Sequence, residues 1–134
     1  MSTFVDTSVI IPLLDDQSPH HAWCVSQMAS VDRPVVIADI VYAELSVGMP
    51  DKDTTDEALE RFDFQRIRFS DDALFRAGRA FLAYKNNAGS RDSLLPDFLV
   101  GALAASEGEP LLTRDTSRIQ TYFPDVRLIS PPAS

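Results

Sequence analysis

The chain has 134 residues, enough for one domain with a sizeable core and too few for two. Its Asp+Glu 20 against Lys+Arg 12 give a formal charge of -8, a balance that argues against non-specific attraction to nucleic acid. No apolar run approaches the roughly 18–20 residues of a membrane-spanning helix, and the start of the chain lacks a secretory pattern. Cys24 has no second cysteine to pair with, so no internal disulfide can form, and a reducing cytoplasm is the expected setting. Ten of the twelve cations are Arg, the residue suited to forked contacts with phosphate or carboxylate.

In chain order, Thr3–Val5 reads as a short buried strand and Val9–Leu14 as a helical segment broken at Asp15-Asp16. Ser18-Pro19 is a helix start, with Ala22, Val25, Met28 and Ala29 recurring at helical spacing behind it. Val35–Ile37 is a β-branched second strand. Ile40, Val41, Leu45 and Val47 then fit a helix that ends near Gly48 and carries Glu44 among its apolar residues. After a polar loop over 49–53, Thr54 and Glu57 form a Thr-x-x-Glu capping box that predicts a helix with Ala58, Leu59 and Phe62 on one face.

Phe64–Phe69 is a third extended piece, and Ser70 caps a long helix whose apolar stripe is Ala73, Leu74, Ala77, Phe81 and Leu82. Turn residues over 86–90 end that helix. Pro96 opens another helix, apolar nearly all round from Phe98 to Ala104 and therefore deeply buried, which Gly108 stops. Pro110–Thr113 is extended, 114–117 leads into a short helix reaching Phe123, and Val126–Ile129 is a last strand. Short strands alternating with helices predict a parallel sheet covered on both faces. One domain over 1–130 with a tail at 131–134 is the expected organisation.

Most acids fall in loops or first turns, where acids are ordinary, but four do not. Asp6 follows the first strand, Glu44 lies within an apolar helix, Asp97 starts the most apolar helix, and Asp115 follows Leu111-Leu112. Each has a plain alternative: Asp6 and Asp115 as helix caps, Asp97 as a complement to the helix dipole. Glu44 resists one, because an acid on a buried helix face needs a partner. In a parallel sheet the strand ends behind Asp6 and Asp115 share one edge, towards which helix N-termini also point. Carboxylates gathered there stay ionised together only with a cation, and oxygen donors without His or Cys select Mg²⁺ or Mn²⁺. The hydroxyls of Thr7, Ser8 and Thr113 are placed to orient such ligands.

The ordered set resembles the PIN-domain ribonucleases of the kind that serve as VapC toxins in toxin–antitoxin pairs. The matching stretches are Phe-Val-Asp-Thr-Ser at 4–8, Val-Tyr-Ala-Glu-Leu around Glu44, Leu-Pro-Asp-Phe-Leu-Val-Gly-Ala at 95–102 and Leu-Leu-Thr-Arg-Asp at 111–115. The resemblance implies a three-layer α/β/α sandwich, a central parallel sheet flanked by helices. It implies that Asp6, Glu44, Asp97 and Asp115 are the catalytic acids holding Mg²⁺ or Mn²⁺, with Thr7 and Thr113 beside them. It also implies a homodimer, endonucleolytic cleavage of tRNA or ribosomal RNA, and inhibition by a cognate antitoxin. Arg114 and Arg91 are the candidates for substrate phosphate.

Other readings fare worse. A receiver-like phosphoacceptor wants paired acids after the first strand and a Lys after the fifth, and the lysines here are Lys52 and Lys85. A haloacid-dehalogenase-type phosphatase wants Asp-x-Asp, where this chain has Asp6-Thr7-Ser8. A catalytically silent PIN-fold protein acting only through partners has no use for four clustered acids. His20-His21 face different sides of a helix and make a poor metal pair, and Cys24 lacks an activating neighbour and reads as packing. Arg76 and Arg79, at i and i+3, share a helix face.

Overall fold

A computed structural model of the chain describes residues 2–88 and 95–131. The strands are β1 (Thr3–Val5), β2 (Val35–Ala38), β3 (Gln65–Ile67), β4 (Leu111–Leu112) and β5 (Leu128–Ile129). The helices are α1 (Thr7–Leu13), α2 (His21–Ser30), α3 (Asp39–Ser46), α4 (Lys52–Arg61), α5 (Asp71–Ala88), α6 (Leu95–Glu107) and α7 (Ser117–Tyr122). The strands form a five-stranded sheet in the order β3-β2-β1-β4-β5, with every pairing parallel. Helices α1 to α4 pack among themselves, as do α5 to α7, and α3 also meets α6. Right-handed crossovers put these two groups on opposite faces, which gives the expected α/β/α sandwich.

The chain leaves β1 in one direction towards β2 and β3, and returns on the other side through β4 to β5. The gap between β1 and β4 is therefore the topological switch point, where open sheets of this kind bind ligands. Register fixes what faces it. Val5 pairs with Leu112, so the residues that follow, Asp6 and Thr113, leave the sheet side by side. β1, β2 and β4 are wholly buried because helices cover both their faces, and β3 forms an exposed edge.

Several helix boundaries and faces differ from the sequence expectation. α1 begins at Thr7 rather than Val9, with Asp6 as its N-cap residue. α2 begins at His21, and Ser18 instead stabilises the preceding turn by accepting a hydrogen bond from the His20 amide at 3.1 Å. Its buried residues are Cys24 and Met28, whereas Ala22, Val25 and Ala29 are exposed, a face turned by about 100° from the expected one. α4 is capped by Asp51, whose carboxylate accepts from the Thr54 amide at 2.7 Å; Thr54 and Glu57 lie inside the helix and form no capping box. Asp63 (φ 57) closes α4 in the left-handed region, and the Phe64 amide reaches back to the Leu59 carbonyl at 3.1 Å.

α5 is capped by the Ser70 hydroxyl as expected, through the Ala73 amide at 3.1 Å. Its buried face is Ala73, Ala77, Ala80 and Tyr84. Leu74 and Leu82, assigned to the core from the sequence, are 44% and 49% exposed. α6 is as buried as its composition demands, and α5 and α7 close over it through Phe81, Tyr84, Phe98, Tyr122 and Phe123. Gly101 permits that approach: a Cβ there would stand 2.7 Å from a Phe123 ring carbon and 3.1 Å from Ile119 Cδ1. Among the described residues no helix is long and apolar enough to cross a membrane.

Candidate active site

Asp6 turns out of β1 with extended backbone (φ -86, ψ 155) while its amide still bonds the Leu112 carbonyl at 3.0 Å. Its side chain makes no capping bond to α1. Instead Oδ2 accepts from the Ser8 hydroxyl at 2.8 Å and from the Thr113 hydroxyl at 2.9 Å. The capping alternative for Asp6 is thereby removed, and its carboxylate faces the end of β4. Thr113 is buried and also receives the Asp115 amide at 3.0 Å, the local turn that a Thr-x-Asp spacing favours. One hydroxyl thus links the ends of β1 and β4.

Asp6, Asp97 and Asp115 line one tight recess without room for a water molecule, walled by Val100, Leu111 and Ile119. Asp97 arrives there in the first turn of α6, whose N-terminus carries a partial positive charge. Glu44 does not line this recess. It stands half-buried on α3, with Oε1 accepting from the Thr7 hydroxyl at 2.7 Å, one residue from Asp6. Among the described residues, neither Asp6 nor Glu44 is in an ion pair; the pairs Lys52–Asp56, Arg66–Asp39 and Arg76–Asp125 lie elsewhere. Nor do any three acidic, His or Cys side chains among the described residues stand close enough to enclose one ion. The donors are nonetheless all hard oxygens, the chemistry that Mg²⁺ and Mn²⁺ take.

Arg114 is engaged within the fold. Pro12 has no N–H to donate, so the Ser8 carbonyl four residues earlier loses its helical partner, and Arg114 Nη1 donates to it at 3.3 Å. The Arg114 amide in turn donates to the Ser8 hydroxyl at 2.9 Å. Ser8 is therefore as deeply involved as Thr7 and Thr113, which its place two residues after Asp6 already signals. Arg91 lies outside the described residues. His21 Nδ1 donates to the Pro12 carbonyl at 2.9 Å and clamps α2 to α1, while His20 is exposed. Cys24 is fully buried, and burial pushes its thiol above the ordinary range, offset in part by the nearby Arg114 charge.

Beside Glu44 runs a larger groove of about 830 Å³ between α1, α3 and α4. Ile11, Leu14, Leu45, Val47 and Met49 give it an apolar lining, and Asp15, Glu44 and Glu57 give it predominantly acidic margins, with Arg61 the cation among them. Sequence reading missed it, because α1 is distant in the chain from α3 and α4 and the exposed Ile11 and Val47 look like core residues.

A model of the PIN-domain family matches residues 3–124. The chain belongs to that family. Several solved structures resemble it over nearly their whole length, toxin–antitoxin proteins among them. They include FitAcB from Neisseria gonorrhoeae, at 21% identity and a TM-score of 0.71, with 96% of each chain covered. VapBC2 from Rickettsia felis, bound to a DNA fragment from its promoter, matches at 20% and 0.68, covering 97% of this chain and 98% of that one. VapC20 from Mycobacterium tuberculosis, described as a toxin cleaving the sarcin–ricin loop, matches at 19% and 0.66, covering 93% and 98%. At these identities the likeness establishes the fold. Comparison with curated proteins by sequence returns no significant match.

Proposed function

We propose that this protein is a Mg²⁺- or Mn²⁺-dependent endoribonuclease and the toxin of a toxin–antitoxin pair. The observation that carries the reading is the convergence of Asp6, Asp97 and Asp115 on one recess at the switch point of the sheet, with Glu44 tied to Thr7 beside it. Asp6, Asp97 and Asp115, with Glu44, would supply the oxygen donors, and an ion would have to draw them closer together than they stand here. When bound it supplies an activated water and neutralises charge developing on the scissile phosphate. The chain's own part is orientation. Ser8 and Thr113 fix the Asp6 oxygen, Thr7 fixes Glu44, and Arg114 keeps the Ser8 backbone in place. The α6 N-terminus lowers the cost of bringing Asp97 and a phosphate together.

An RNA substrate is favoured by the neighbour described as a sarcin–ricin loop cleaving toxin, and tRNA or ribosomal RNA is the class we infer. The cognate antitoxin reading rests on the apolar groove with acidic margins that leads to Glu44, a fit for an amphipathic segment carrying a basic side chain. Asp6→Asn and Asp97→Asn should each abolish Mn²⁺-dependent cleavage of total cellular RNA while leaving the circular dichroism spectrum unchanged. Undiminished cleavage by either variant removes the nuclease from this site. The inhibitory partner is tested by co-expression with the neighbouring open reading frame: Val47→Asp, exposed in the groove, should abolish co-purification without unfolding the chain.

A further inference from the structure

A cleft of about 640 Å³, separate from the apolar groove, opens where β2 and β3 end, at the sheet edge that also carries the aspartate recess. Its volume falls in the ~300–1,000 Å³ range of ligand sites. In a chain of net charge -8, it is lined by three cations, Lys52, Arg66 and Arg68, beside the aromatic rings of Tyr42 and Phe69. Cations interleaved with aromatics form the kind of surface that takes single-stranded nucleic acid. The Arg66 guanidinium lies over the Tyr42 ring, 4.4 Å from its centre. Its Nε pairs with Asp39 Oδ1 at 3.1 Å, and the side chain remains 51% exposed. Tyr42 is held in turn, its hydroxyl donating to Asp56 Oδ1 at 2.6 Å while Lys52 Nζ donates to Oδ2 at 2.6 Å. A fixed guanidinium with one side on an aromatic ring and the other towards solvent is a platform for a base.

Arg68 differs from the other two cations. Lys52 and Arg66 each pair with an acid of the cleft, whereas Arg68 is exposed and makes no ion pair among the described residues. With Asp39 and Asp56 neutralised in this way, Arg68 leaves the cleft one positive charge in excess. Its position connects it to the acids. Arg68 follows β3 as Asp6 follows β1, and β2 stands between those strands. At about 4.8 Å from strand to strand, the two residues leave the sheet on the order of 10 Å apart. Asp39, which follows β2 and so lies between them, is the acid that Arg66 neutralises. Arg114, nearer to Asp6 in the fold, is engaged with the Ser8 backbone.

We propose that this cleft receives a nucleotide flanking the scissile phosphate, its base stacked on Arg66 over Tyr42 and its phosphate on Arg68. The inference rests on the nuclease reading of the carboxylate site, and binding measured without metal tests it apart from cleavage. The probe is a short fluorescein-labelled single-stranded RNA of mixed sequence, read by anisotropy in EDTA. Arg68→Ala should weaken binding about tenfold and reduce the slope of log Kd against log salt by about 0.7, the share of one phosphate contact on a single strand. Arg66→Lys keeps the charge but not the flat face, so it should weaken binding about as much and leave the salt slope unchanged. In cleavage with Mn²⁺, Arg68→Ala should raise KM and leave kcat at the wild-type value. Wild-type Kd in both variants, beside intact cleavage, overturns the subsite and leaves the nuclease reading standing. Loss of partner co-purification in Arg68→Ala, with RNA binding unchanged, also overturns it and assigns the cleft to the protein partner. A wild-type chain that never cuts RNA with Mn²⁺ shows the other failure, and removes the flanking role together with the nuclease.

Discussion

Thr113 shows how much of the site depends on one hydroxyl. It donates to Asp6 Oδ2 and accepts from the Asp115 amide, so its loss removes one of the two hydroxyls on Asp6 and the turn that places Asp115. Thr113→Val, nearly the same in shape, should reduce Mn²⁺ affinity or RNA cleavage about 10–100-fold, as groups orienting metal ligands usually do. Isothermal titration with Mn²⁺ and a cleavage assay measure it; an unchanged variant would remove Thr113 from the site. Cys24 makes the opposite case. With its thiol buried and pushed upwards, it should resist alkylation at pH 8 in the native protein and react fully in denaturant. Labelling read by mass spectrometry decides this, and rapid native modification would contradict the packing role.

Among the elements, α4 shows a local signal read in the wrong register. Asp51 and Thr54 both have capping side chains, and a Thr-x-x-Glu pattern favours Thr54. In the structure the Asp51 carboxylate takes the Thr54 amide, while Thr55, Ala58 and Leu59 are buried, which fixes where the helix begins. Asp51→Ala should lower the melting temperature, and truncation of the Thr54 side chain to Ala should lower it less, because the Thr54 amide still reaches the Asp51 carboxylate. The Thr54 hydroxyl and, after it, the Thr54 amide hold the Asp51 carboxyl below its ordinary value. Its contribution is therefore complete above the unfolded value of about 3.9 and is lost as pH falls through the folded one. Asp51→Asn should keep the cap and flatten that acid limb of the stability curve.

α5 and α6 carry the second lesson at this scale. Helical periodicity finds a stripe but not its centre. The structure selects small residues, Ala73, Ala77 and Ala80, for the face against α6 because close-packed helices need them, and turns Leu74 and Leu82 outwards. Gly101→Ala tests the same closeness: the helix gains propensity, but the new methyl meets Phe123 and Ile119. A net loss of about 1–3 kcal/mol is expected from overpacking, read by urea denaturation, and a stabilised variant would show that α7 can move aside.

For the whole molecule, the three aspartates of the recess come from β1, α6 and the loop after β4, and only the fold brings them together. Gathered carboxylates make the folded state a better ligand for a divalent cation than the unfolded chain. Mg²⁺ or Mn²⁺ should therefore raise the melting temperature, by the equivalent of about 2.7 kcal/mol at a hundredfold excess over Kd. Asp6→Asn should abolish most of that rise. No shift with millimolar metal, watched by differential scanning fluorimetry, would mean that the acids do not act as one site.

The sequence by itself determined the alternation of strands and helices, the buried α6, the family motifs and the four acids out of place, because each is written in neighbouring residues. Apolar runs, turn residues and an acid after a strand are local facts, and local physics reads them. Tertiary structure decided the rest. Strand order placed the switch point between β1 and β4; register set Asp6 beside Thr113; and the packing of α1, α3 and α4 made the groove that leaves Glu44 outside the aspartate recess. The reason lies in the energies. Helix and strand propensities are worth less than about 1 kcal/mol per residue, whereas burying a large side chain is worth about 1.5–3 kcal/mol. Where propensity and packing disagree over which residue caps a helix or which face turns inwards, packing prevails, and it depends on residues distant in the chain.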